Sequence, residues 1–234
     1  MDLEYYLKSI PRYFTRVTNL GFFERIYGSA CYYKYDKKFK FKKFLFNKRE
    51  LLWSDIFKKN FLENKKILFI EFGVFNGYSF NFFLNNNKNK NSKFIGLDTF
   101  EGLPEDWINT PRGSFSTDNK IPNFNDHRYK MIKGLFQNSY NKLNDEIADY
   151  KSFDEIIIHF DADLYSATLF SLSNLFMNID NYIAIFDEFF GHESRALHDF
   201  ETSFPISIDF IGASKKENDS NFRVSQCAFR INKT

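Results

Sequence analysis

From residue 67 onward, apolar positions come in short unbroken runs, with no polar residue in every second place. Residues 67–70 read Ile-Leu-Phe-Ile, and comparable runs recur at 93–98, 129–133, 155–161, 182–187, 206–212 and 226–232. Unalternated runs of this length predict strands covered on both faces, as in a parallel sheet. The intervening segments are long enough for crossover helices, giving the βαβα order of an α/β domain. The last two runs are separated only by the polar residues Ser214 to Ser220, too short for a crossover. They are therefore predicted to form an antiparallel hairpin at one sheet edge. Before residue 63 the pattern is helical instead, with Leu51, Leu52, Trp53, Ile56 and Phe57 at helix spacing. The expectation is a helical N-terminal extension over 1–62 and a doubly wound, Rossmann-like α/β domain with a mostly parallel seven-stranded sheet over 63–234.

The first strand ends on Glu71, followed by Gly73 and Gly77. Glycines there let the chain turn tightly and let a ligand approach the backbone, while the helix that follows presents free N–H groups. The spacing Glu-x-Gly-x-x-x-Gly lacks the Gly-x-Gly-x-x-Gly of a dinucleotide site, so a nucleotide-binding oxidoreductase is disfavoured. Glu71 would repel a pyrophosphate but suits a ligand carrying an ammonium and a sulfonium. The second strand ends on Asp98, 27 residues further on, where doubly wound folds grip ribose hydroxyls with a carboxylate. Between 100 and 124, three prolines and two glycines interrupt a long connection that also carries Trp107 and Phe115; it is expected to form a lid over the pocket.

Composition narrows the class. A hydrophobic content of 43% and a net charge of +2 over 234 residues describe a globular chain with a sizeable core and argue against a nucleic-acid-coating surface. No apolar run reaches the length of a membrane span, and a cytoplasmic location is expected. Cys31 and Cys227 have no CxxC spacing and are read as free thiols. The stretch from Tyr32 to Arg49 holds seven lysines among aromatics. It could meet a phosphate-bearing substrate, an acidic glycan or a membrane surface, or simply form a solvated helix face or an oligomer contact.

Two strand ends carry the candidate chemistry. One reads His159-Phe160-Asp161-Ala162-Asp163, the other Phe186-Asp187-Glu188-Phe189-Phe190-Gly191-His192. Adjacent parallel strands deliver their C-terminal ends to one edge, so Asp161, Asp163, Asp187 and Glu188 are expected beside the pocket opened at Glu71. Carboxylates so grouped call for a cation, and hard oxygen donors without a thiol cluster favour Mg²⁺ over zinc. Bound Mg²⁺ would lower the pKa of a coordinated hydroxyl, and a nearby carboxylate could take the proton. Taken singly, Asp163 could instead cap the helix that follows. His192 could bind substrate, accept a proton or only support its neighbours; His159 is read as a core residue, and Arg195 as a solvated helix position or a phosphate guide.

Four segments, Glu-Phe-Gly-Val-Phe-Asn-Gly-Tyr-Ser (71–79), Gly-Leu-Asp-Thr-Phe-Glu-Gly-Leu-Pro (96–104), Asp-Ala-Asp-Leu-Tyr-Ser-Ala-Thr (161–168) and Asp-Glu-Phe-Phe-Gly-His (187–192), occur in an order and spacing that resembles the macrocin O-methyltransferase-like family. These are metal-dependent class I enzymes that use S-adenosyl-L-methionine (SAM) to methylate sugar hydroxyls. The resemblance implies SAM contacts from Glu71, Gly73, Gly77, Ser79 and Asp98, metal ligation by Asp161, Asp187 and Glu188, and a base drawn from Asp161 or Asp163. Glu188 stands where the family usually has an aspartate. The acceptor implied is a sugar or nucleotide sugar, of bacterial surface polysaccharide or natural-product biosynthesis, with a homo-oligomer formed through the N-terminal helices. A catechol-type O-methyltransferase and a non-catalytic SAM-fold interaction subunit are the alternatives.

Overall fold

The computed structural model describes residues 20–107, 110–215 and 224–234. Helix α1 (Leu20–Phe39) leads through a 3₁₀ turn to a two-residue strand β1 (Leu45–Phe46) and helix α2 (Arg49–Lys59). The alternating part follows as β2 (Ile67–Phe72), α3 (Tyr78–Asn86), β3 (Lys93–Asp98), β4 (Tyr129–Lys133), α4 (Phe136–Ile147), β5 (Glu155–Phe160), α5 (Tyr165–Asn178) and β6 (Asn181–Phe186). It closes with α6 (Ser194–Ser203), β7 (Ile206–Lys215) and β8 (Val224–Lys233). All lie in one sheet of order β1-β7-β8-β6-β5-β2-β3-β4, in which β8 alone runs antiparallel to its neighbours. The order reverses between β2 and β5, and a reversed strand is inserted beside β6; this is the class I Rossmann-like methyltransferase fold.

The sheet has eight strands where the sequence predicts seven. The extra strand, β1, pairs in parallel with β7 at the outer edge, within the lysine-rich stretch. Two residues make too short a run for any periodicity to reveal.

Each central strand is buried on both faces because its alternate side chains feed different cores. From β2, Leu68, Ile70 and Phe72 enter a core shared with α1, α4, α5 and α6, while Ile67 and Phe69 enter one shared with α2 and α3. The Phe69 ring stacks on Phe83 of α3 at 4.4 Å. The lysines of the Tyr32–Arg49 stretch point outward, but Tyr32, Tyr35 and Phe41 pack into the first core, and Lys34 and Lys38 each reach Glu201 at 3.6 Å. No helix among the described residues is long and apolar enough to cross a membrane.

At the C-terminal edge, register is fixed by a ladder of phenylalanines. Phe72, Phe160 and Phe186 are direct neighbours on β2, β5 and β6, with near-parallel rings 5.7 and 4.9 Å apart. The hydrogen bonds continue past them, Asp161 N–H to Phe72 O and Asp187 N–H to Phe160 O, both 2.9 Å. Truncating the fully buried middle ring in Phe160→Ala is expected to cost about 3–5 kcal/mol. Urea unfolding of the variant beside the parent measures it; a loss under 1 kcal/mol would mean the ladder does not hold the register.

Candidate active site

A cavity of about 800 Å³ runs along the strand ends. Gly73, Asp98, Asp161, Asp163, Asp187 and Glu188 all line it, so six residues singled out in the sequence meet at one place. Across the sheet order, Asp98 and Asp187 are three strand spacings apart, roughly 14 Å, and the crevice where the order reverses lies between them.

Gly73 is where β2 turns out of the sheet, with φ +90°. A Cβ there would lie 1.8 Å from the Asp161 carbonyl oxygen, so no other residue fits without parting the two strand ends. Asp98 holds the loop that follows: its Oδ2 accepts the N–H of Val74 and of Phe75, each at 2.8 Å, and its Oδ1 that of Phe100 at 2.6 Å. The carboxylate shapes the pocket rim as well as facing into it.

Glu71, Gly77, Ser79 and His192 do not line the cavity. Glu71 is wholly buried, and its Oε1 accepts the Ser79 hydroxyl and lies against His159 Nδ1, both at 2.6 Å. Burial raises its pKa, with His159 and Ser79 opposing. Glu71, Ser79 and His159 therefore form a polar knot behind the pocket. Gly77 faces Pro122 and Phe124, where a Cβ would come within 2.7 Å of the Phe124 ring. His192 touches Trp107 edge-on at 6.5 Å, and burial, then Arg195, lowers its pKa. Arg195 itself stacks on Tyr165 at 3.8 Å and pairs with Glu24 at 3.2 Å, which gives it a structural occupation. Both cysteines are buried free thiols.

Described residues between Gly102 and Phe115 wall one side of the cavity. Gly102, Leu103, Pro104, Glu105, Trp107 and Phe115 line it, and backbone bonds between Leu103 and Ser114 and between Gly113 and Leu103, both 2.9 Å, fold the segment on itself. Phe124 anchors its far end by stacking on Phe80.

The acids repel one another. Asp163 does not cap α5, since Leu164 holds the cap position; it adopts a left-handed φ of +58° and lines the pocket. Its pKa is pushed up to about 7 by burial, then Asp187 and Glu188. Burial followed by Asp187 and Asp163 holds Asp161 well above the carboxylate range. Glu193, which the sequence reading passed over, is fully buried with neither carboxylate oxygen hydrogen-bonded. Burial and Asp187 raise it too, and the Ala162 amide, outside hydrogen-bonding geometry, offsets only part of this. It follows Glu188 across the non-helical backbone of Phe190 and Gly191, so no helical spacing in the sequence marks it.

Asp161, Asp163, Asp187 and Glu188 are the donor types that Mg²⁺ takes, and their crowding is what a cation would relieve. Their arrangement does not close on one, however. Among the described residues no three acidic, imidazole or thiol groups converge for a metal ion. Asp187 Oδ1 instead accepts the Gln226 side-chain amide and faces Arg49 at 3.7 Å.

No protein-family profile and no curated protein matches the chain. Among solved structures it is similar to CalS11, a TDP-rhamnose 3'-O-methyltransferase of calicheamicin biosynthesis, with 17% identity over 78% of this chain and 79% of that one and a TM-score of 0.48. It is also similar to an O-methyltransferase from Bacillus cereus in complex with S-adenosylhomocysteine (11% identity, 88% and 90% covered, TM-score 0.46). TomG of Streptomyces achromogenes, an O-methyltransferase of tomaymycin synthesis in complex with SAM, matches over 100% of both chains at 10% identity and TM-score 0.46. Likeness at that level bears on neither substrate nor chemistry.

The raised carboxyl pKa values fix a sign for stability. Asp163 titrates near 4 when unfolded and near 7 when folded, so its contribution is fully present below about pH 4 and is lost as pH rises to about 7. In buffer without divalent cations, Asp163→Asn should melt a few degrees above the parent at pH 8, with the gap shrinking towards pH 5. A gap that does not depend on pH would contradict the repulsion.

Proposed function

We propose that this chain is a SAM-dependent O-methyltransferase acting on a hydroxyl of a sugar, as a nucleotide sugar or a glycan-linked one. The observation that carries the proposal is one cavity joining the Gly73 turn and Asp98 to Asp161, Asp163, Asp187 and Glu188 across the crevice where the strand order reverses. Ligands of doubly wound sheets bind at that crevice. The nucleoside end of SAM fits at Asp98, whose one remaining acceptor site, on Oδ1, can take a ribose hydroxyl, and the cationic sulfonium then lies towards the acids. Trp107, Phe115 and Phe75 supply flat apolar walls suited to the C–H face of a sugar ring.

Transfer is a displacement in line. The acceptor oxygen forms a bond to the methyl carbon, the carbon–sulfur bond breaks with its electron pair on sulfur, and S-adenosylhomocysteine leaves. The hydroxyl proton passes to a carboxylate, and Asp163 suits this best because a base with a pKa near the working pH is both available and strong enough. Most of the acceleration comes from alignment and from keeping water out beneath the 100–124 segment. Asp187 Oδ1 is taken up by Gln226 and Arg49, so holding Mg²⁺ on Asp161, Asp187 and Glu188 would require these side chains to rearrange.

Calorimetric titration with S-adenosylhomocysteine, followed by transfer assays on nucleotide sugars with labelled SAM, tests the reading. Binding in the micromolar range and methylated sugar are expected. A folded protein that binds no cofactor would sink the enzyme reading, and activity on phenols alone would replace the sugar acceptor with a catechol-type one. Asp163→Asn should lower kcat by about 10²- to 10⁴-fold while leaving cofactor affinity within a factor of two; unchanged kcat would take the base role from this residue. Millimolar Mg²⁺ should leave the parent's melting temperature unchanged; a rise that EDTA reverses would show that the acids rearrange to hold the metal.

A further inference from the structure

Asp187 is held from behind by residues that none of the quoted segments includes. On β6 and β8, Phe186 pairs with Cys227 in an antiparallel register, so the next pair beyond it sets Asp187 opposite Gln226, side chains on one face. The Gln226 Nε2 donates to Asp187 Oδ1. Gln226 is itself fully buried, and its Oε1 accepts the indole N–H of Trp53 at 2.8 Å, also from a fully buried residue.

The chemistry allows one orientation. An indole nitrogen only donates, so it fixes which end of the amide faces it and commits the NH₂ end to Asp187. Without Trp53 the amide could turn and present its oxygen to a carboxylate. Arg49, one turn before Trp53 on α2, lies over the Trp53 and Tyr78 rings at 5.4 and 5.1 Å and faces the same Asp187 oxygen at 3.7 Å. Two contacts to one carboxylate thus trace back to α2. This arrangement also depends on β8 being reversed, since only a reversed strand brings its N-terminal end to the cavity edge.

We infer that Gln226, oriented by Trp53, is a positioning residue for Asp187, which makes α2 part of the active-site architecture. The inference rests on Asp187 serving in the methyl-transfer site. Gln226→Leu is expected to lower kcat by about 10- to 100-fold, with acceptor KM and S-adenosylhomocysteine affinity within a factor of two. Trp53→Phe, which keeps an aromatic ring and removes the N–H, should lower kcat less. Because Trp53 acts through Gln226, the double variant should be no slower than Gln226→Leu alone. Unchanged kcat in the single variants, or losses that multiply in the double variant, would overturn the inference.

A second arm needs no activity. The chain has two tryptophans, so its NMR spectrum has two indole N–H signals, and Trp53→Phe assigns one. That signal should move in Asp187→Ala and in Gln226→Leu, both compared with the parent. A Trp53 signal unmoved in Asp187→Ala overturns the relay even if Gln226→Leu fails to fold. A parent that binds no S-adenosylhomocysteine would instead defeat the methyltransferase reading, while the indole signals would still decide the relay.

Discussion

The site depends on the parallel register at the C-terminal ends of β2, β5 and β6. Phe72, Phe160 and Phe186 sit side by side in the core, and the backbone bonds continue one residue past them. The next residues, Gly73, Asp161 and Asp187, therefore reach the sheet edge together. A slip of one residue would turn the phenylalanines to the other face and draw an aspartate into the core. Gly73 adds a steric lock, since only a missing side chain lets β2 turn away against the Asp161 carbonyl. The apolar ladder and the acidic row above it follow from one alignment.

That alignment gathers charge the fold cannot neutralise. Asp161, Asp163 and Glu193 are all raised by burial and then by the field of Asp187, and both Glu193 oxygens are without hydrogen bonds. Folded domains rarely leave buried carboxyls so crowded unless a site needs them. A cationic ligand relieves such a cluster, and the sulfonium of SAM carries a positive charge. The same repulsion that weakens the domain above neutral pH would favour the cofactor and give Asp163 a pKa suited to taking a proton. Behind the row, Glu71 with His159 and Ser79, and Trp53 with Gln226, hold the strand ends through buried polar contacts.

Much of this was legible in the sequence. Seven strands, the reversed hairpin, the glycine turn and the two acidic strand ends could all be read because each is local: apolar runs, turn residues and the position of an acid after a run. The acids had to converge once the strands were parallel neighbours. What a side chain touches across the sheet was not legible. Glu71 and Ser79 follow a cofactor-site pattern but bond to each other and to His159, and nothing local distinguishes an acid that faces a ligand from one that faces a neighbour. The two-residue β1 has no periodicity to detect.

The sequence by itself determined the order of elements and which residue types stand at the pocket, because short-range patterning and backbone sterics decide those. Tertiary structure alone decided that Gln226 and Trp53, 173 positions apart, meet at Asp187. It also decided that Glu193 is buried among like charges and that Asp187 leans on an amide and a guanidinium. Those outcomes depend on which strands become neighbours and in which direction they run, and the energies of such contacts exist only after the chain has closed.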